Sequence, residues 1–484
     1  MTHVESIVIG GGIGGLQAAH TFAKLGLAPL LLEARGTCGG LVFGAPIGGV
    51  WVDLGAESFA KRSRAVASLC AELGLEVVDP SGVSWLWSHR DGGFATRIPH
   101  GVLGIPTDLD DPFVTALLSP DGLARAREDL TMGAEPGADA ADLATLVECR
   151  LGAEVLTRLV DPIAGGVHSA HPSTLAVDVV SPGLREAMVR EGSLVRAAAA
   201  LRAAAPAGAV VSSVSGGLFT LPRALVARIR ELGGEVANRR VVTAIARAGG
   251  AWSVTHHEAG RAADPADPPV PVGDPVTVTT GRLVVALDGR AALDLLRTIP
   301  ELAVDDWELP RGADLTQVCL VMNAPELDAG PRGSGLLVTP DAEGAATRVA
   351  CKALTHYSIK WPATVAGTGT HVLRVSFGRA GIPTGDPTPA GALADASILL
   401  GVELSADQIA GHAIVRFPNS LPPQTPAHRA RIALLTRRLT EMPGLAVTGA
   451  WFAGTGLAAV IPHAQSVARG LAAPASAPDQ ERSR

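Results

Sequence analysis

Aromatic side chains are scarce in this chain of 484 residues, at 4%, and Tyr357 is the sole tyrosine. The hydrophobic share of 47% and the mean hydropathy of +0.28 therefore rest on Ala, Val and Leu, the composition of an Ala-rich α/β protein rather than of a membrane protein. Cysteines are few and odd in number (Cys38, Cys70, Cys149, Cys319 and Cys351), with no Cys-x-x-Cys pair, which excludes a disulfide framework and a zinc site. Three stretches lack Asp, Glu, Lys and Arg for about the length of a membrane span: 6–23, 203–222 and 445–468. Clusters of Gly, Pro or Ser break each of them, so we read them as buried strand–turn–helix units. No basic region precedes the first apolar run, so no signal peptide is expected and the expected location is cytoplasmic. The net charge of −7 speaks against nucleic acid as a partner. There is no Ser/His/Asp, metal-ligand or paired-carboxylate signature.

What is present begins almost at once. "SIVIGG" reads as a buried parallel strand, "GGLQAAHTFAKLG" as a helix closed by Gly26, and "APLLLEA" as a second strand, together one βαβ unit. Between about 106 and 201 three segments carry an apolar stripe at helical spacing and predict an inserted helical domain. A helix and short strands follow over 216–255, and "GRLVVALDG" is another buried strand. The Pro- and Asp-rich stretch 261–275 reads as a surface loop inside a hairpin. Runs between 314 and about 417 predict a second sheet, and the tail after 471 reads as disordered.

Gly10, Gly12 and Gly15 have the spacing G-x-G-x-x-G directly after a strand and at the start of a helix. Gly10 permits the tight turn, Gly12 lets the backbone approach a pyrophosphate, and Gly15 lets helix and strand pack closely. The helix N-terminus then offers N–H groups and a positive dipole end to phosphates. Glu33 ends the second strand about 20 residues on, where a carboxylate binds ribose hydroxyls. Such a loop serves a nicotinamide or a flavin. Here "EARGTCGG" follows at once and leads into a hairpin ending "DLGAESF". A second glycine pair suits a cofactor that runs further across the domain than a nicotinamide dinucleotide. Cys38 in this stretch can be read as a redox thiol or a flavin tether; with no partner cysteine, we read it as a small residue beside the glycines.

That order of motifs resembles the flavoprotein superfamily of amine oxidases, phytoene desaturases and porphyrinogen oxidases. The segment 442–471, "MPGLAVTGAWFAGTGLAAVIPHAQSVARGL", is similar to the element that closes the flavin site there. Further stretches, "DPIAGGVHSAHPSTLAVDVVSPGL", "GGLFTLPRAL", "KALTHYSIKWP" and "AIVRFPNSLPPQTPAHRARIALL", resemble the protoporphyrinogen and coproporphyrinogen III oxidases in the right order along nearly the whole chain. The actinobacterial coproporphyrinogen III oxidases are the nearest type.

The resemblance implies an α/β fold: a Rossmann-like FAD-binding domain of the amine oxidase and porphyrinogen oxidase type, a mixed-sheet substrate domain, and an inserted helical domain. We place the discontinuous FAD domain at 1–90, 205–290 and 440–472, a helical cap or membrane-facing domain at 91–204, a substrate domain at 291–439 and a disordered tail at 473–484. FAD would be lined by Gly10, Gly12, Ile13, Gly14, Gly15, Glu33, Ala34, Arg35, Gly39, Gly40, Leu41, Gly55, Ala56, Glu57, Ser58, Val242, Gly454, Gly456 and Leu457. The implied reaction is oxidation of coproporphyrinogen III to coproporphyrin III by FAD and dioxygen in haem biosynthesis, with hydrogen peroxide as by-product. Peripheral membrane contact and hand-over to a ferrochelatase are implied alongside. A protoporphyrinogen IX oxidase, a flavin amine oxidase, for whose aromatic cage one tyrosine is a poor endowment, and a non-catalytic FAD- and tetrapyrrole-binding relative are the alternatives.

A tetracarboxylate substrate needs cations, and Arg meets a carboxylate with two hydrogen bonds. Lys61, Arg62 and Lys360 are the first candidates, with Arg64, Arg97, Lys352, Arg374 and Arg379 behind them. No catalytic acid or base is identified. His168 and His171 invite a metal-ligand reading, but local turn structure explains them as well. The closing element departs from the family's G-x-G-[IV]-P-x-C-I: Gly454-Thr455-Gly456-Leu457-Ala458-Ala459-Val460-Ile461 lacks the Pro and Cys, and Pro462 is expected at the helix start.

Overall fold

The run Ser6–Ile9 is buried at all four positions and lies in the middle of a five-stranded, all-parallel sheet, in the order Glu235–Asn238, Pro29–Glu33, Ser6–Ile9, Leu283–Val285, Leu445–Val447. Its strands read as near-continuous apolar runs because both faces are covered. Val8, Leu31 and Val284 point to one side, into a core shared with helices Ile13–Lys24, Thr220–Glu231 and Leu457–Ala472. Ile7, Ile9, Leu30, Leu32 and Val285 point to the other, toward Trp252 and helix Gly289–Leu296. The computed structural model describes residues 2–61, 63–166, 170–204, 210–262, 267–340, 349–365, 369–379, 384–420 and 425–473, residue 91 by its backbone alone.

A four-stranded sheet (Thr2–Val4, Val270–Thr280, Ala251–Gly260, Arg240–Ala248) packs on that second side. It corrects one expectation. Positions 270–275, read from sequence as loop, begin a strand in which Val270, Pro271 and Val272 pair with Gly260, Ala259 and Glu258. The short strand Thr2–Val4 pairs only with Val278–Thr280, so Pro271 and Pro275 sit on an open edge, where a missing N–H costs no ladder bond.

The second sheet has seven strands, in the order Ile409–Ser420, Ala313–Asn323, Thr370–Phe377, Ala353–His356, Gly335–Val338, Ser84–Ser88, Phe94–Arg97. It is mixed: Gly335–Val338 runs parallel to Ser84–Ser88 and the other pairs are antiparallel. The domain division drawn at 90 thus runs through a hairpin of this sheet. Helix Pro389–Leu400 covers one face through Ala392, Ala396 and Leu399, which pack with Leu336, Val338, Leu373 and Val375.

Between these sheets in sequence lie short helices, among them Pro120–Arg127, Leu143–Leu151, Leu184–Glu191 and Leu194–Ala204, and a π-helical stretch Leu156–Gly165. The apolar stripe across 183–204 is two helices, because Gly192 takes a left-handed conformation (φ 68°). Asp129 and Arg150, both 0% exposed, hold this region together. Asp129 accepts from Arg150 Nε (2.5 Å), Ser193 Oγ (2.6 Å) and the backbone N–H groups of Leu194 and Val195, capping the helix that follows. Leu86, Phe94 and Leu337 of the seven-stranded sheet pack into the same helical core. Among the described residues no helix is long and apolar enough to cross a membrane.

Candidate functional site

The first glycine loop is built as its spacing requires. Gly10 has φ 102°, and a Cβ there would lie 2.7 Å from Ala286 O. A Cβ at Gly15 would overlap Gly10 O, so only glycine lets the helix start this close to the strand. Gly14 lies against the last helix, where an added Cβ would stand 3.2 Å from Val460 Cγ1. Gly12 is the N-cap of helix Ile13–Lys24, and a Cβ there would meet nothing within 4 Å. Gly12 therefore is not glycine because the protein crowds it. Ile13 begins the helix with its side chain in the core.

Glu33 ties the loop to the end of the second strand: its carboxylate accepts from Gly11 N (2.6 Å) and Arg35 N (2.7 Å). Ala34 is half-buried and Arg35 is exposed beside it. Gly39 N donates to Gly11 O at 2.8 Å, and Gly40 (φ 60°) approaches Gly12 so closely that an added Cβ would lie 3.1 Å from its Cα. Cys38 packs at this point, its thiol directed to Asn238 Oδ1 (3.3 Å); burial, then nearby Glu33, pushes the thiol up to about 12, which leaves no thiolate for redox chemistry.

The second stretch is stitched to the first. Ala56 N donates to Leu41 O (2.8 Å), a Cβ on Gly55 would overlap the same carbonyl, and the Leu41 side chain is half exposed. Ser58 is half-buried. Val242 starts the strand bulge that separates it from Ala244, opposite His256, and packs against the core that includes Leu30 and Leu32. From the far end of the chain, Gly454 (φ 100°) and Gly456 (φ 91°) lead into helix Leu457–Ala472, with Leu457 in the same core as Ile13. A Cβ on Gly456, the N-cap, also would meet nothing within 4 Å. Two helix N-termini, each headed by an uncrowded glycine, thus stand side by side with a carboxylate at the strand end, a donor set that fits an extended dinucleotide.

The cations are distributed unevenly. Lys61 is exposed and pairs with Asp79 at 2.9 Å, Arg62 lies outside the described residues, and Lys360 pairs with Glu57 at 2.6 Å. Glu57 also binds Arg374, which donates to Gly55 O (2.6 Å) and Gln317 Oε1 (2.8 Å). Burial opposes ionisation of Glu57, but the two cations outweigh it and hold the carboxyl below its ordinary value. Sequence reasoning missed this triad and its neighbour: Tyr357 Oη donates to Asp53 Oδ2 (2.7 Å), while Asp53 also accepts from Leu218 N and Phe219 N. Burial raises Asp53, and burial together with Asp53 pushes the Tyr357 phenol up. The one signal available in the sequence was that an aromatic-poor chain keeps one tyrosine. Both groups clamp the "DLGAESF" stretch to the seven-stranded sheet.

His168 lies outside the described residues; His171 Nδ1 accepts from Ser173 N (3.2 Å) and caps the turn Pro172–Thr174. Among the described residues no group of three His, Cys, Asp or Glu side chains could hold a metal ion. Pro462 departs from expectation: it is the sixth residue of helix Leu457–Ala472, past the turn whose N–H groups are free. His463 Nδ1 lies 2.9 Å from Thr448 Oγ1 and its ring 5.4 Å from Phe452, which fixes this turn from the strand side.

Residues 13–469 match the family described as flavin containing amine oxidoreductase. Over 473 residues the chain is 25% identical to a coproporphyrinogen III oxidase of Bacillus subtilis (strain 168), covering 93% of this chain and 94% of that one. It is 28% identical over 475 residues to a coproporphyrinogen III oxidase of Mycobacterium leprae (strain TN), covering 95% and 96%. A provisionally named protoporphyrinogen oxidase from Exiguobacterium sp. 255-15, solved by crystallography, has the same fold, with a TM-score of 0.78, 22% identity and coverage of 97% and 99%.

Proposed function

Because the chain belongs to the flavin containing amine oxidoreductases, we propose that this FAD-dependent oxidoreductase oxidises a porphyrinogen, coproporphyrinogen III before protoporphyrinogen IX, to the porphyrin. The observation that carries the substrate class is the end-to-end likeness to coproporphyrinogen III oxidases, which leaves no domain of this chain without a counterpart. Bound FAD supplies a two-electron acceptor that dioxygen can restore with release of hydrogen peroxide.

The residues have these roles in the proposal. Gly10, Gly12, Ile13, Gly14 and Gly15 hold the pyrophosphate at the helix N-terminus. Glu33, Ala34 and Arg35 meet the adenosine ribose, and Val242 lies beside the adenine. Gly39, Gly40, Leu41, Gly55, Ala56, Glu57 and Ser58 line the extended middle, and Gly454, Gly456 and Leu457 close the site. Glu57 is kept ionised by Lys360 and Arg374, which anchors that middle stretch to the substrate sheet. Lys61 and Arg62 remain proposed contacts for the substrate's outer carboxylates, whereas Lys360 acts through Glu57. The division into FAD, helical and substrate domains, a cytoplasmic location with peripheral membrane contact, and hand-over to a ferrochelatase belong to the same proposal.

The test is direct. The purified protein is expected to be yellow, and porphyrin fluorescence is expected to rise in air faster with coproporphyrinogen III than with protoporphyrinogen IX. A colourless protein, or a yellow one that turns over neither compound, refutes the reading; faster turnover of protoporphyrinogen IX reverses the substrate order.

A further inference from the structure

On the face of the seven-stranded sheet opposite helix Pro389–Leu400, a short run of small residues is only half-buried among the described residues. In register, Gly335 faces Thr355, which faces Arg374; one step along, Leu337 faces Ala353, which faces Ser376. Ala353, Thr355 and Ser376 are half-buried, although Leu354, Val375 and Phe377 beside them on the other face are buried. At one end of the row stands Arg374, 4% exposed, with its Nε buried and without a partner among the described residues. Two residues past the end of strand Thr370–Phe377, beyond Gly378 (φ 94°), stands Arg379.

Arg379 stands in a seam between this sheet and the helical region. Its Nη2 donates to Val338 O at 2.5 Å, its single hydrogen bond among the described residues. Gly166 at the end of the π-helical stretch approaches Leu337, 3.3 Å from an added Cβ to Cδ2, and the Asp161 carboxylate folds back over Gly165 in the same stretch. Asp161 makes no hydrogen bond among the described residues; burial raises its carboxyl, and the charges of His171 and then Arg379 act against that, the latter across the seam. Lys352, 8% exposed, accepts from Val338 N through its carbonyl (2.9 Å); burial, then Arg379 close by, lowers its ammonium to about 8. Two cations and one carboxylate are therefore gathered where the half-buried run ends, and the remaining donors of Arg379 form a planar fork suited to a carboxylate. Arg374, at the other end, is already committed to Glu57.

We propose that the row from Arg374 to Arg379 is the platform for the macrocycle, that Arg379 binds one of its propionate carboxylates, and that Asp161 is the resident counter-charge which that carboxylate displaces. This rests on the porphyrinogen reading above and assigns the group that favours a tetracarboxylate over a dicarboxylate.

Two substitutions with opposite expected signs test it. Binding of the oxidised porphyrin to the holoenzyme is followed by fluorescence quenching. Arg379→Gln, which keeps a donor for Val338 O, is expected to weaken coproporphyrin III by about ten- to a hundredfold, and protoporphyrin IX by less. Asp161→Asn is expected to tighten coproporphyrin III by about threefold, since a like charge leaves the site. Flavin absorbance and Tm report that both variants are folded. An Arg379→Gln affinity within twofold of wild type, or an Asp161→Asn protein that binds more weakly, overturns the assignment. A wild type that binds neither porphyrin overturns the proposed function itself, and this platform with it.

Discussion

Glu57 offers the sharpest link between sequence, packing and stability. Its carboxylate lies between Lys360, at 2.6 Å, and Arg374, and the three side chains are 14%, 21% and 5% exposed. Glu57→Gln keeps the shape and removes the charge, which leaves two cations without their counter-ion. Breaking a buried pair this way costs about 3–5 kcal/mol. Arg374 retains Gly55 O and Gln317 Oε1, and Lys360 can turn to water, so the lower end, about 3 kcal/mol, applies here. At about 2.1 cal/mol/K per residue the 484 residues give roughly 1 kcal/mol per degree, so Tm at pH 7 falls by about 3 °C. Acid supplies a second readout. The carboxyl of Glu57 is held below its ordinary value of about 4.5, so its contribution is complete above that pH and is lost as pH falls through the folded value. Scanning calorimetry of wild type and variant is then expected to give Tm values that differ most near neutrality and converge below about pH 4.5. A variant within about 1 °C of wild type at pH 7, or a gap that does not narrow in acid, refutes the ionised triad.

Gly12→Val separates ligand from packing: nothing lies within 4 Å of a Cβ at that position, so the apoprotein is expected to keep its Tm while the purified protein loses its flavin absorbance. Asp129→Ala strands a fully buried Arg150 and uncaps helix Leu194–Ala204, and chemical denaturation is expected to show a loss of about 3–5 kcal/mol. Tyr357→Phe removes one hydrogen bond to Asp53 and leaves its two backbone donors, a loss of about 1–2 kcal/mol in the same measurement. Pro462→Ala restores an N–H inside a helix at a half-buried site; about 3 kcal/mol of helix cost less about 1 kcal/mol of extra unfolded-chain entropy predicts a Tm higher by a few degrees.

The elements that were legible in the sequence are those whose physics is local. A strand, three spaced glycines and a helix must be contiguous to make a phosphate cradle, and the carboxylate at Glu33 follows one strand later, so the pattern survives in one dimension. The terminal glycine element was legible for the same reason. What brings the two together is not: the strands Ser6–Ile9 and Leu445–Val447 meet only through Leu283–Val285, which pairs with both. Glu57 finds its cations some three hundred residues away, and no spacing rule reaches across that distance. The hairpin Ser84–Ser88 with Phe94–Arg97 escaped notice because its first strand lies beside Gly335–Val338, a strand of another part of the chain. Helix Pro389–Leu400 escaped because it is apolar on nearly all sides and shows no stripe.

Pro462 shows where local reasoning fails for a different reason. Proline just after a glycine turn reads as a helix opener, a position where its missing N–H costs nothing. The helix in fact opens at Leu457, because Gly454 and Gly456 both take positive φ and the first regular turn can only begin beyond them. That early start sets Ile461 and Ala464 into the core with Leu16 and Ala18 and brings Val460 onto Gly14. The register of the last helix is therefore fixed by its contact with the first, and the proline is carried into the interior as a consequence. The same contact that holds the two uncrowded glycines side by side costs the closing helix a hydrogen bond, which is the trade expected where a binding site, rather than helix propensity, has determined the sequence.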